Sequence, residues 1–179
     1  NVGFEGAYAP PEISTKTEAF EIILAGIEKA GYTPDEEIVL GIDAAASEFY
    51  KDGSYHLKRE GKTLSTEEWL DLQIGLFDKY PIWSIEDTMH EEDWEGWKKL
   101  NAMVGGNLQV IGDDLLVTNT KRIQKAIDKH AVNSVLVKIN QIGTITETLD
   151  AIDLADSAGM TTVISHRGGE TNDDFIADL

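Results

Sequence analysis

At 179 residues, with 41% apolar and 27% charged side chains, the chain has a soluble globular composition and length enough for one core. Its formal net charge of −18, from 33 acids against 15 bases with no basic stripe, speaks against nucleic acid and anionic membranes as partners. Cysteine is absent, which excludes disulfides and thiolate metal sites and fits a reducing compartment, and no apolar run approaches the ~20 residues of a membrane span.

Helix and strand patterns alternate along the chain with little linker between them. "TKTEAFEIILAGIEKAGY" carries apolar residues at helical spacing and ends at Gly31, a natural helix stop. "EIVLGID" follows as a short apolar strand, and "YKDGSYHLKREGK" places an Asp-Gly turn between alternating residues, which predicts a hairpin. "STEEWLDLQIGLFDKY" opens with Ser65 and Glu68, a capping box ahead of an amphipathic helix. "PIWSIED" and "EDWEGWKKLNAMV" form the next strand and helix. "LQVIGDD" and "VTNTKRIQKAIDKH" repeat the unit, with Thr118 or Asn119 as the cap. "SVLVKIN", "TITETLDAIDLADSAG", "TTVISHR" and "ETNDDFIADL" complete it twice more. The chain opens on "NVGFEG" without a methionine and stops at "FIADL" inside a helical pattern, so it reads as a stretch of something longer.

Such alternation predicts an α/β fold with parallel strands and right-handed helical crossovers. Two architectures satisfy it: an open doubly wound sheet, or part of an eight-unit barrel, which in full needs about 250 residues. The polar residues at the strand ends are more telling. Asp43 ends the first strand, Glu86 and Asp87 the second, Asp113 and Asp114 the third, Lys138 the fourth, and His166 with Arg167 the fifth. In parallel α/β folds that edge is where ligands bind. A lone strand-end aspartate is more often a helix cap, a lone histidine structural and a lone arginine a surface ion pair. A lysine directly after the buried run "SVLV" resists such an explanation, and five charged strand ends together argue for a site. The carboxylates suit Mg²⁺, with no soft ligand among them. Lys138 suits a general base, and Arg167 offers a planar fork to phosphate or carboxylate. On residues alone, this is a Mg²⁺-assisted enzyme that abstracts a proton next to the carboxylate of a small anion.

The stretches "SEFYKDG", "SIED", "GDDLLVTN", "LVKINQIGTITET" and "ISHRGGET" closely resemble the enolase family, its bacterial members above all. The resemblance covers the whole chain in order. It implies a TIM-type (β/α) barrel, present in part over residues 1–179 as about five βα units of the family's C-terminal domain. The N-terminal domain and the last barrel segment lie outside it. It also implies Mg²⁺-dependent dehydration of 2-phospho-D-glycerate to phosphoenolpyruvate, a glycolytic step, in the full-length protein and not in these 179 residues alone. A lysine or histidine base with Mg²⁺ stabilising the enediolate is the known arrangement of that superfamily.

By the same resemblance, Glu5 is the general acid for loss of the C3 hydroxyl and Lys138 the base for the C2 proton. Asp43, Glu86 and Asp113 hold Mg²⁺. Arg167 binds phosphate, with His166 and Gly168 lining the pocket. A homodimer or higher homo-oligomer and a cytoplasmic location, with cell-surface display by family analogy, are implied as well. The sequence departs from the family at Phe4, Ala7, Thr88 and Gly168. Glycine at 168 lacks the hydroxyl that the family's serine gives to the second Mg²⁺, whereas the metal triad and base are complete. Two other readings compete: an impaired enolase-like scaffold that binds proteins, and an acid-sugar or amino-acid racemase or dehydratase on the same barrel, which shares metal-assisted proton abstraction but not the "GDDLLVTN" and "SHRGGET" stretches.

Overall fold

The computed structural model describes residues 2, 6–8, 10–13, 15–167 and 172–179. Phe4, Glu5 and Gly168 lie outside the described residues. In chain order the elements are α1 (Lys16–Lys29), β1 (Leu40–Asp43), β2 (Tyr50–Lys51), β3 (Ser54–Leu57), β4 (Lys62–Leu64), α2 (Thr66–Lys79), β5 (Ile82–Glu86) and α3 (Trp94–Val104). They continue with β6 (Gln109–Gly112), α4 (Thr120–Lys129), β7 (Ser134–Val137), α5 (Ile139–Ile142), α6 (Ile145–Ser157), β8 (Thr161–Ile164) and α7 (Phe175–Asp178). The strands form a five-stranded sheet in the order β1-β5-β6-β7-β8 and a three-stranded sheet in the order β2-β3-β4.

Two compact units emerge, one of Asn1–Leu40 with Lys51–Ile82 and one of Gly41–Tyr50 with Trp83–Leu179. In the first, α1 and α2 both begin with capping boxes. Thr15 and Ser65 each accept the N–H three residues on, and Glu18 and Glu68 reach back to the cap amides. α1 ends where Gly31 turns left-handed at φ 90°, with the Tyr32 amide donating back to the Ile27 carbonyl. The core of this unit is aromatic: Tyr55 stacks on Trp69 at 4.8 Å, both fully buried, and Phe20 packs on Tyr80 at 4.8 Å. The expected hairpin is present and extended. Asp52 (φ 51°) and Gly53 (φ 82°) close the first turn, and a second turn brings β4 antiparallel to β3, with His56 opposite Thr63.

The second unit carries the sheet that positions the site. Strands β5, β6, β7 and β8 pair parallel in succession, and α3, α4 and α6 make the crossovers between them. Trp97, Leu100, Leu115, Leu116, Ile123, Ala126, Ala151 and Ala155 are shielded completely, as are Ile85 and Val110 of the strands. All four residues of β7 are buried, as expected of a strand covered on both faces. The opposite end of the sheet is tied by hydroxyls and amides. Gln109 donates to the hydroxyls of Ser134 (3.1 Å) and Thr161 (2.8 Å), and Ser134 donates to the Thr161 carbonyl. Those bonds hold the starts of three strands level, so their far ends deliver side chains in a fixed register.

Candidate functional site

Strand register places the charged residues before any side-chain contact is considered. Ser84 pairs with Gln109 and Glu86 with Ile111; Ile111 pairs with Ser134, so Asp113 and Lys138 continue the same face two and four residues on. On β1, a β-carbon added to Gly41 would lie 2.7 Å from the Ser84 hydroxyl. Gly41 and Ser84 therefore share a face, and alternation puts Asp43 and Glu86 on it as well. Asp43, Glu86, Asp113 and Lys138 thus rise from four neighbouring strands onto one face at the C-terminal edge.

Lys138 does not snorkel to solvent. Its Nζ is ion-paired with Asp113 Oδ2, and the two side chains are only 13% and 10% exposed. The other Asp113 oxygen accepts from Gln141 Nε2 at 2.8 Å. Burial pushes the Glu86 carboxyl up to about 7, with the charges of Asp43, Asp113 and Asp87 adding to it and Lys138 opposing. Asp43 is raised too, chiefly by burial and further by Asp113, against the Ala45 amide, which donates to Asp43 Oδ1 at 2.9 Å. Exposed Asp114 is likewise raised, by partial burial and by Asp113.

Asp87 plays a different part from its neighbour. Its two oxygens accept the amides of Asp113 (3.0 Å) and Asp114 (2.9 Å), so it shapes the turn after β6, and burial pushes its own carboxyl up to about 7. Asp87 also stands in left-handed backbone at φ 42°, as do Ala45 after β1 and Val117 and Thr118 after β6. Non-glycine residues in that region cost roughly 1–3 kcal/mol each and gather at functional sites.

A hard divalent cation fits this donor set, which is all carboxylate oxygen and rich in mutual repulsion. One oxygen each of Asp87, Asp113 and Asp114 lies within 4.8 Å of the others. Both Asp87 oxygens accept amides and both Asp113 oxygens accept from Gln141 and Lys138, so a cation at this cluster would compete with those donors.

The raised carboxyls carry a consequence for stability. Groups that hold protons above their ordinary range bind more protons in the native state than in the unfolded chain between about pH 4 and about pH 8. Their contribution is complete below the ordinary carboxylate range and is lost as pH rises through about 7. Melting temperatures of the full-length protein in EDTA are expected to fall from about pH 5 to about pH 8, and a divalent cation should flatten that slope. A melting temperature that holds or rises over the interval would contradict the clustering.

His166 and Arg167 follow β8 at the same end of the sheet, where the Ser165 amide still donates to the Val137 carbonyl at 3.1 Å. His166 is exposed and Arg167 half-buried. Sequence reasoning gave no role to Gln141, or to Thr118 beyond a possible cap; the cap of α4 is Asn119. Both residues sit inside stretches that stood out for their neighbours, and neither carries a charge that would single it out.

The model of the enolase C-terminal TIM barrel domain matches residues 1–179. A curated protein of Natranaerobius thermophilus named enolase is 54% identical over 179 residues, which cover 100% of this chain and 42% of that relative. With the whole of its length matched, the chain belongs to the enolase family, and its parallel sheet with helical crossovers is part of that family's C-terminal TIM barrel.

Proposed function

We propose that these residues carry the cation-binding and proton-abstracting part of an enzyme that dehydrates 2-phosphoglycerate to phosphoenolpyruvate. The activity belongs to the full-length protein, since the chain spans 42% of the relative's length. The observation that carries the reading is Lys138, withdrawn from solvent and paired with Asp113 on the face that also bears Asp43 and Glu86.

The chemistry follows from those groups. A proton beside a carboxylate is weakly acidic, and removing it puts a second charge on a group already anionic. A Mg²⁺ ion held by Asp43, Glu86 and Asp113 would offset that charge. Lys138, in its neutral amine form after its ammonium has given up a proton to solvent, takes the C2 proton on Nζ. Glu5 gives a proton to the C3 hydroxyl, which leaves as water, and the electron pair of the C2–H bond becomes the new double bond. Arg167 holds the phosphate by its planar fork, and the family resemblance assigns His166 and Gly168 to substrate binding beside it.

The test is direct. The full-length protein given 2-phosphoglycerate and Mg²⁺ should form phosphoenolpyruvate, lose the activity in EDTA and regain it on adding Mg²⁺ back. Failure to form product with Mg²⁺ present would overturn the assignment.

A further inference from the structure

Gln141 is the side chain at the cluster to which the proposed chemistry gives no task. It lies in α5, the single turn after Lys138, and its amide spans two partners: Nε2 donates to Asp113 Oδ1 at 2.8 Å and Oε1 accepts from Thr118 Oγ1 at 3.1 Å. Chemistry fixes which way that amide points. An ionised carboxylate can only accept, so the NH₂ end must face Asp113 and the oxygen must face a donor.

Thr118 supplies that donor from a position with no solvent exposure and a left-handed φ of 52°. The same hydroxyl accepts the Lys138 amide at 2.9 Å and lies 3.4 Å from the Leu136 carbonyl. One buried hydroxyl therefore fixes the backbone of Lys138 and the amide that holds Asp113. Asp113 in turn has one oxygen on Gln141 and the other on the Lys138 ammonium. The chain of bonds closes on itself and joins two segments of the sheet edge, the one after β6 and the one after β7. A filler glutamine would need neither the strained threonine nor the second bond.

We infer that Gln141, seated by Thr118, is a positioning residue that fixes the Asp113 carboxylate against Lys138 and reserves Asp113 Oδ2 for the lysine or a divalent cation. The inference rests on the proposed function for what the pair then does. Outer groups that orient ligating carboxylates commonly matter by about 10–100-fold in metal affinity or activity.

The experiment uses the full-length protein stripped with EDTA, titrated calorimetrically with MgCl₂ and assayed with 2-phosphoglycerate. Gln141→Leu should weaken Mg²⁺ binding about tenfold and lower kcat by about 10–100-fold, with the substrate KM within about threefold. Thr118→Val should reproduce both losses, and Thr118→Ser, which keeps the hydroxyl, should restore near-native values. Should Gln141→Leu fail to fold, Gln141→Asn carries the same test, because it keeps the amide but is too short to span both partners. Mg²⁺ affinity and kcat within about twofold of native in a folded variant would overturn the inference, as would Thr118→Ser behaving like Thr118→Val. Because Mg²⁺ binding is read without substrate, a protein that binds Mg²⁺ but forms no phosphoenolpyruvate would sink the proposed function while the affinities still judge Gln141.

Discussion

Replacing Lys138 by alanine in the full-length protein is expected to lower turnover of 2-phosphoglycerate about a thousandfold, while Mg²⁺ binds as tightly as before or more tightly. The first half is the loss of the proposed general base, a group of a kind worth about 10²–10⁴-fold in rate. The second half comes from the charge balance of the site. Lys138 is the cation that opposes Asp43, Glu86 and Asp113, and it occupies an oxygen of Asp113. Taking it away deepens the local negative potential and frees that oxygen, both of which favour a divalent cation. Stability should move as well. Breaking a pair whose side chains are 13% and 10% exposed strands a carboxylate, at a cost on the order of 3 kcal/mol. That loss should be seen in EDTA and largely recovered with Mg²⁺. Steady-state kinetics, MgCl₂ calorimetry and urea unfolding with and without Mg²⁺ read the three effects separately. If turnover and Mg²⁺ affinity fell together by similar factors, Lys138 would be a structural partner of Asp113 and not a base.

The strand ends were legible because two local rules act there together. Apolar runs such as "SVLV" mark buried strands, and a charge directly after such a run must be paired or used; Lys138 meets Asp113 as that logic requires. Both capping boxes and the Gly31 stop were readable because each involves residues only a few positions apart. The three-stranded extension of the hairpin was not, since "LKREGK" turns without a strong two-residue signal beyond Gly61, which takes φ 65°. What sequence reasoning could not supply are contacts made across the sheet. Asp87 reaches amides 26 and 27 residues on, Thr118 serves Lys138 at 20, and Gln141 serves Asp113 at 28. Val117 and Thr118 are β-branched, and local preference argues against the left-handed backbone they adopt. Tertiary bonds override that preference, and only the folded edge reveals it.

Glu86→Gln should act with opposite signs on the empty and the loaded protein, and this contrast separates a cation site from a merely acidic surface. In the cation-free state the Glu86 carboxyl is held up at about 7 by burial and by Asp43, Asp113 and Asp87. Its ionised form is therefore strained at alkaline pH, and the stability it contributes is lost as pH rises through that value. Glutamine has nearly the same shape and no charge, so it escapes the loss. At about pH 8 in EDTA, the variant should melt as high as the native protein or higher, and its decline between about pH 5 and about pH 8 should be shallower. With Mg²⁺ the order reverses. The variant lacks one of the proposed anionic ligands, so Mg²⁺ affinity should fall about a hundredfold, and the stabilisation that bound Mg²⁺ confers should shrink with it. Turnover should fall with that affinity and recover in part at high Mg²⁺. A role confined to binding another protein through the acidic surface would be indifferent to this substitution. Melting curves of both proteins at the two pH values, each with EDTA and with Mg²⁺, are enough to decide. Parallel changes in all four conditions would mean that Glu86 serves packing alone, and the proposed shared ion at Asp43, Glu86 and Asp113 would be overturned.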